Sequence, residues 1–362
     1  MVKMEKRLYS VVAGTGSCVP ARRVPNSDFL DKTFFDASGS PLKKGNQETI
    51  DKLAEITGIR ERRHAEDDQL ASDLATLAAR DALESTRIDK ESLDYIIVGH
   101  NFGDVRLGNV RSDFVPSLAS RVKHKLAIAN PRTVAYDLAF GCPGWLQGMI
   151  QADYYLRSGD AKRAMVIGAE AISRVSDPHD RDSMIYADGA GATVLEAVAS
   201  DRPVGILAHA ARTDSLEHAF MLWMGRSYDP QHAGDELYLK MDGHKLYEYA
   251  LKTVPLVAKE SIEKAGLGIQ DIKKVLIHQA NDKMDEAILK RLFKLCGGEF
   301  KAEIMPMTIS WLGNSSVATI PTLLDLILKG KLDGHRLASG DAIVLTSVGA
   351  GMNINAVVYR LP

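Results

Sequence analysis

Two hydrophobic rhythms alternate along the chain. Short runs of apolar and β-branched residues, "LYSVVAGTG", "YIIVGH", "TVAYDLAF", "RAMVIGAE" and "GATVLEAV", are too continuous for half-exposed strands and read as strands buried on both faces. Between them run stretches whose apolar positions recur at helical spacing, such as "ASDLATLAARDALESTR". The alternation then restarts, with strands at "PVGILAHAA", "KKVLIHQA", "DAIVLTSVGAG" and "INAVVYRL" and helices at "HKLYEYALKTVPLVAKESIEKAG" and "SSVATIPTLLDLILKG". This predicts a layered α/β protein. "SLDYIIVGH" and "DIKKVLIHQ" hold matching places, as do "RAMVIGAEA" and "DAIVLTSVGAG". The chain therefore reads as a duplicated α/β unit, with halves 1–203 and 204–362 joined around Asp201 to Val204. A repeat this weak also arises by chance in large α/β chains, so the pattern alone leaves both origins open.

Two segments break the rhythm. "DKTFFDASGSPLKKGNQETIDKL" gathers turn formers from Gly39 to Asn46 and predicts a surface insertion. "HNFGDVRLGNVRSDFVPS", after the strand around Ile97, is polar and long for a strand-to-helix turn, which makes it a candidate functional loop.

Composition narrows the class. With 362 residues, 45% hydrophobic and 25% charged, the chain can bury a large core in two halves, which excludes a disordered protein or a fibre. Its 45 basic and 47 acidic residues give a formal charge of -2, with no basic field that would draw nucleic acid as the main partner. Three cysteines, Cys18, Cys142 and Cys296, are odd in number and lack Cys-x-x-Cys spacing, so neither a disulfide framework nor a metal site is expected. A reducing, cytoplasmic setting follows. "MVKMEKRLYSVVAGTG" has no sustained apolar stretch, and no run of about 18 apolar residues occurs, so export and a membrane span are not expected.

The chemistry concentrates at one junction. In "AFGCPGWLQGMIQADYYLRSG" an apolar strand meets a Gly-Cys-Pro-Gly turn and then a helical pattern, which puts Cys142 at a helix N-terminus. The positive end of the dipole favours thiolate there, so the expected pKa shift is downward. The turn alone leaves a second reading open, a small buried hydrophobe, and Cys18 and Cys296 keep that reading. "VLIHQAN" places His278 and Asn281 at the end of a strand, and "WLGNSSVAT" places Asn314 in a turn opening a helix. Singly these are ordinary structural hydrogen-bonders. Together, at strand and loop ends of a duplicated α/β sheet, they can converge where such sheets place their sites.

These residues carry a resemblance. The chain is similar, nearly end to end, to the ketoacyl-acyl-carrier-protein synthase III group of the thiolase superfamily, through "GTGSCVP", "TGIRERR" at residues 57 to 63, Cys142 in its turn, "SRVSDPHDRDSMIYADGAGATVLEA", "HQAN", "GNSSVAT" and "SVGAGMNINAVVYRL". The resemblance implies a thiolase-like duplicated, five-layered αβαβα homodimer with Cys142, His278 and Asn314 as the catalytic triad. It also implies that Asn281 contacts the pantetheine arm and that acyl carrier protein docks on Lys283, Lys290 and Arg291. For those three bases a solvated helix face is the other reading, since Asp282, Asp285 and Glu286 interleave with them.

Roles follow from the residue types. Cys142 attacks an acyl thioester, and its own N–H with that of Gly351 in "GAGM" is expected to hold the oxyanion. A malonyl thioester then loses carbon dioxide, its enolate held by His278 Nε2 and the Asn314 amide, and attacks the acyl-enzyme to give a β-ketoacyl thioester. No cofactor or metal is required. Where a Trp and an Arg clamp coenzyme A in priming members, this chain has Lys52 and Ile56, which points to weaker use of coenzyme A. Val115 matches the residue sent across the dimer to floor the acyl pocket, and its small size predicts chains longer than acetyl. Members that join two long acyl chains without decarboxylation take a Glu from this loop, whereas residues 100 to 118 hold only Asp104 and Asp113 as acids. Acyl transfer from Cys142 to an oxygen or nitrogen acceptor and a non-catalytic partner subunit are the competing readings; the retained trio argues against both.

Overall fold

The computed structural model describes residues 7–362; residues 1–6, the start of the segment read as lacking an export signal, lie outside the described residues. Two mixed sheets organise the chain. The first orders its strands as Arg7–Cys18, Asp188–Ser200, Arg163–Ala171, Tyr95–His100 and Val134–Ala139. The first two pairings are antiparallel and the last two parallel. The second sheet runs Gly205–Thr213, Asn353–Arg360, Ala342–Gly349 and Ile272–Ile277, again antiparallel, antiparallel, then parallel. It stops one strand short of the first. Beside Ile272–Ile277 the chain from Glu303 to Thr308 is fastened by side chains instead of a ladder: Lys274 Nζ donates to the Glu303 carbonyl at 2.9 Å, Gln279 Nε2 to Pro306 O at 2.9 Å, and Thr308 N–H to Gln279 Oε1 at 2.8 Å. Pro306 has no N–H to give a ladder.

Helices Gly144–Ser158 and Thr319–Leu328 fill the space between the sheets. Trp145, Met149 and Ile150 from one meet Ile320, Leu323 and Leu324 from the other, against Val166, Leu345 and Val357 of the sheets. Outside the first sheet lie Ala71–Thr86 and Leu118–Lys125; outside the second lie Gly243–Lys264 and Asp282–Cys296. The result is five layers, αβαβα. Each sheet is covered on both faces, which is why its strands read as continuous apolar runs. Val134–Ala139 departs from that expectation: it is the edge of its sheet, and its side chains are half-buried or exposed. Among the described residues no helix is long and apolar enough to cross a membrane.

The two irregular segments are more ordered than their composition suggests. Phe34, just before the Gly39 to Asn46 stretch, is buried with Phe29, Leu53, Met184 and Tyr186. Phe35 N–H donates to His179 O at 2.9 Å, and Leu42 N–H to Phe34 O at 2.9 Å. Residues 39–46 lie at the surface, as their composition predicts, with none of them buried, and the segment is anchored at its apolar end by Phe34. The second segment folds as a hairpin of Asp104–Arg106 and Asn109–Asp113, pinned by Arg121, which bonds Asp104 at 2.6 Å and Asp113 at 2.7 Å.

Candidate active site

Three chain reversals meet over the middle layer. The first carries Cys142 out of Val134–Ala139 and into the helix Gly144–Ser158, with Pro143 at the N-cap. The second follows Ile272–Ile277, where His278 N–H donates to Thr346 O at 3.0 Å. The third holds Asn314, whose backbone is strapped to the first half: its N–H donates to Ile185 O at 3.0 Å and its carbonyl accepts from Ala187 N–H at 2.8 Å. Gly313 has a φ of +70°, and a Cβ there would lie 2.6 Å from Arg62 Cβ. Arg62, of the "TGIRERR" segment, is wholly buried and bonds Val24 O and Asn26 Oδ1, so this motif props the Asn314 turn.

Cys142, His278 and Asn314 line one cavity of about 280 Å³, walled largely by apolar side chains that include Phe102, Ile172, Leu222, Trp223, Met224 and Leu239. Leu222, Trp223 and Met224 come from a hairpin of Leu222–Gly225 and Tyr238–Met241. Such a lining suits a hydrocarbon chain. The cavity opens into a groove of about 860 Å³. Asn281, Lys52, Ile56, Lys44, Arg181 and His244 line that groove, and Tyr186, Trp223, Met241 and Asn314 border both spaces. Asn281 also caps the helix Asp282–Cys296 through Oδ1, which accepts from Met284 N–H at 3.0 Å.

Burial keeps the reactive pair uncharged. It pushes the Cys142 thiol up to about 11, with the Glu170 carboxylate adding to the rise and the Ser316 hydroxyl opposing it. The shift is upward, opposite to the direction expected from the helix N-terminus: Cys142 stands one residue outside the Pro143 cap, and burial is the largest cause. Burial also lowers His278 to about 4, so its imidazole is neutral near pH 7 and offers one N–H. Asn314 Oδ1 accepts from Ser316 N–H at 2.8 Å, which leaves the Nδ2 amide as a donor for the cavity.

The oxyanion assignment needs a correction. Gly349 and Ala350 line the cavity and Gly351 does not. A Cβ on Gly349 would lie 2.5 Å from Cys142 N, and one on Gly141 would lie 2.9 Å from Ala350 N. The backbone kinks at Gly351, φ +78°, and Met352, φ +52°. The N–H of Ala350 therefore replaces that of Gly351 as the candidate partner of the Cys142 N–H.

Of the remaining expected residues, Val115 is 85% exposed and lies outside this chain's own cavity. Lys283, Lys290 and Arg291 are exposed on Asp282–Cys296; Lys283 pairs with Glu55 at 3.2 Å and Lys290 with Glu286 at 2.7 Å. Sequence reasoning missed Asn101, Ser316 and Glu170. Ser316 Oγ donates to Cys142 Sγ at 3.2 Å and accepts from Asn101 Nδ2 at 3.0 Å, while Asn101 N–H donates to Glu170 Oε2 at 3.0 Å. The signal for Glu170 was an acid inside the apolar run "RAMVIGAEA". Among the described residues no set of His, Cys, Asp and Glu gathers as metal ligands.

Comparison with known proteins matches this layout. Residues 136–215 fit the family described as 3-oxoacyl-[acyl-carrier-protein (ACP)] synthase III, and residues 262–361 its C-terminal domain. The first match contains Cys142 and the second His278 and Asn314. The β-ketoacyl-[acyl carrier protein] synthase III (FabH) of Thermus thermophilus is 29% identical, covering 97% of this chain and 99% of its own, with a TM-score of 0.77. The priming β-ketosynthase of the R1128 polyketide pathway is 26% identical over 99% and 97%, with a TM-score of 0.79. OleA of Xanthomonas campestris, 20% identical over 99% and 98% with a TM-score of 0.75, shares the fold. With its layers, its strand order and both family domains in place, the chain belongs to the 3-oxoacyl-[acyl-carrier-protein] synthase III family of acyl-transferring condensing enzymes.

Proposed function

We propose that the protein catalyses decarboxylative Claisen condensation between an acyl group on Cys142 and malonyl-acyl-carrier-protein. The observation that carries this reading is the convergence of Cys142, His278 and Asn314 on one apolar cavity. Cys142 Sγ attacks the incoming acyl thioester, and the oxyanion is held by the Cys142 and Ala350 N–H groups. Release of the carrier thiol leaves the acyl-enzyme. Malonyl thioester then loses carbon dioxide, and its enolate oxygen is stabilised by the neutral His278 N–H and the Asn314 amide. The enolate carbon attacks the acyl carbonyl, and the thiol of Cys142 leaves. No metal or organic cofactor takes part.

The carrier arm is placed in the outer groove, with Asn281 as a contact. At the two positions matched to the adenine clamp the groove has Lys52 and Ile56, although Phe35, Tyr228 and Tyr247 line it elsewhere; the missing clamp supports an acyl carrier protein over coenzyme A as donor. A homodimer completes the site: the half-exposed edge strand Val134–Ala139 is free to pair with a second copy, and the exposed Val115 supplies the floor of the partner's pocket. The product then enters fatty-acid or related polyketide and lipid synthesis in the cytoplasm.

Intact-protein mass spectrometry tests the scheme. The protein is incubated with coenzyme A and carrier-protein thioesters from acetyl to dodecanoyl, then chased with malonyl-acyl-carrier-protein. The reading requires a mass gain on wild type, none on Cys142→Ala, and its loss on the chase with β-ketoacyl product. An acyl mark that survives the chase and moves to an alcohol or amine would replace condensation with acyl transfer.

A further inference from the structure

Cys142 is half-buried at the cavity, and the chain of contacts behind it has a fixed direction. The Asn101 amide can only donate through Nδ2, and it does so at both ends, to Glu170 Oε2 and to Ser316 Oγ. With its oxygen accepting from Asn101, the Ser316 hydroxyl has its own hydrogen left for Cys142 Sγ, 3.2 Å away. Glu170 is fully buried, and among the described residues its second oxygen has no partner and its only hydrogen bonds are those that hold Asn101. Ser316 sits at φ +53°, a left-handed conformation unfavourable for a residue with a Cβ. Strain of this kind persists where the surroundings over-determine a position and clusters at functional sites.

We propose that Ser316 is a catalytic residue that donates its hydroxyl hydrogen to the Cys142 thiolate, with Asn101 and Glu170 as positioning residues that fix the direction of that bond. No proton travels along this chain, because the amide donates at both ends. The proposal rests on Cys142 being the acyl-accepting nucleophile.

The groups facing the thiol are Glu170, His278 and Tyr186; His100 and Asp188 face Glu170. His278 is neutral, and Tyr186 stays protonated because burial raises it. Burial raises Glu170 to about 7, so it is ionised over the higher pH range in which the thiol titrates; there it acts in two opposed ways, as an acceptor that anchors Asn101 and as an anion that repels the thiolate. The two parts separate by substitution. Glu170→Gln keeps an oxygen for Asn101 and removes the charge; Ser316→Ala removes the donor; Asn101→Ala frees the donor's direction.

The measurement is the rate of iodoacetamide labelling of the Cys142 peptide against pH, by mass spectrometry, on the full chain with a melting curve for each variant. Ser316→Ala is expected to raise the apparent pKa of labelling by about one unit, which lowers the neutral-pH rate about tenfold. Asn101→Ala is expected to shift it the same way by less, and Glu170→Gln to shift it down. A general loosening of the fold does not move these variants in opposite directions. An unchanged profile in Ser316→Ala, or shifts of one sign in all three, overturns the proposal while leaving Cys142 as nucleophile. If Ser316→Ala does not fold, equal-sign shifts in the other two overturn it and opposite signs support it. Absence of labelling on wild-type Cys142 overturns both this proposal and the nucleophile on which it rests.

Discussion

At the end of Tyr95–His100 stands Gly99; at the matching place on Ile272–Ile277, aligning "SLDYIIVGH" with "DIKKVLIHQ", stands His278. A Cβ at Gly99 would lie 2.6 Å from the Gly144 carbonyl carbon, so the first half gives up a side chain to let the central helix and Cys142 close in. The second half uses the same place for an imidazole. Aligning "RAMVIGAEA" with "DAIVLTSVGAG" sets Glu170 opposite Val348, a buried carboxyl against an apolar cavity wall. The two sheets, alike in strand order apart from the first sheet's extra edge strand, thus differ at their ends. The first half carries Cys142 with Asn101 and Glu170 behind it, and the second brings the neutral groups that face it, Ser316, His278 and Asn314.

The division makes a sharp kinetic prediction. Cys142→Ala should remove both acyl transfer to the protein and condensation, by about 10⁴-fold or more. His278→Ala and Asn314→Ala should lower condensation by about 10²- to 10³-fold yet leave the acyl mark on Cys142, because their donors act on the later enolate. Separate measurement of acylation and chase checks this. Loss of acylation in the His278 variant would erase the distinction between the halves.

The next effect is on stability. Burial holds His278 near 4 in the fold, while an unfolded chain titrates it near 6.5, so between these values the unfolded state binds more protons. The sign is therefore positive: stability from this residue rises with pH through the window and is lost on acidification, by about 3 kcal/mol at its lower end. Replacing His278 by Gln should flatten that part of the stability profile, measured by denaturant unfolding at stepped pH. A variant with the same acid slope as wild type would place the titration elsewhere.

What the sequence made readable was whatever depends on local pattern. Continuous apolar runs revealed doubly covered strands, and the Gly-Cys-Pro-Gly turn marked where a strand hands over to a helix. The direction of the Cys142 pKa was not readable, because it depends on the remote segments that wall its cavity. The residue of "GAGM" that reaches the cavity was not readable either: Ala350 lines it and Gly351 does not, which depends on how the turn folds over Cys142. Asn101 and Ser316 touch across 215 positions, and Asn101 and Glu170 across 69, so no local window joins them. The Gly39 to Asn46 insertion is at the surface, as its composition predicts; the burial of the flanking Phe34 and the approach of Leu42 and Lys44 to the groove were not readable from it.

A smaller test probes where the first half extends beyond its own site. Val115 is exposed here and is proposed to floor a second copy's cavity. Val115→Phe should shift acyl preference toward shorter chains by about tenfold in relative kcat/KM, since pocket discrimination is worth roughly tenfold or more per methylene-sized change. Competition between short and long acyl donors reads it directly. Unchanged preference in a variant that is still dimeric would remove Val115 from the pocket.

The weakest contrast lies within one helix of the second half. Lys283 and Lys290 already have acidic partners at 3.2 and 2.7 Å, so part of their attraction for an acidic carrier is spent internally. Arg291, exposed on the same helix, has no ion pair among the described residues. If carrier protein docks on this face, Arg291→Glu should raise KM for malonyl-acyl-carrier-protein about two- to fivefold at low salt, with kcat unchanged, and the effect should fade as salt screens the pair. Lys290→Glu should do less. Equal effects of the two, or a change in kcat, would mean that the bases serve the helix and not the partner, and docking would then have to be sought nearer the groove, at Lys44, Lys52 and Arg181.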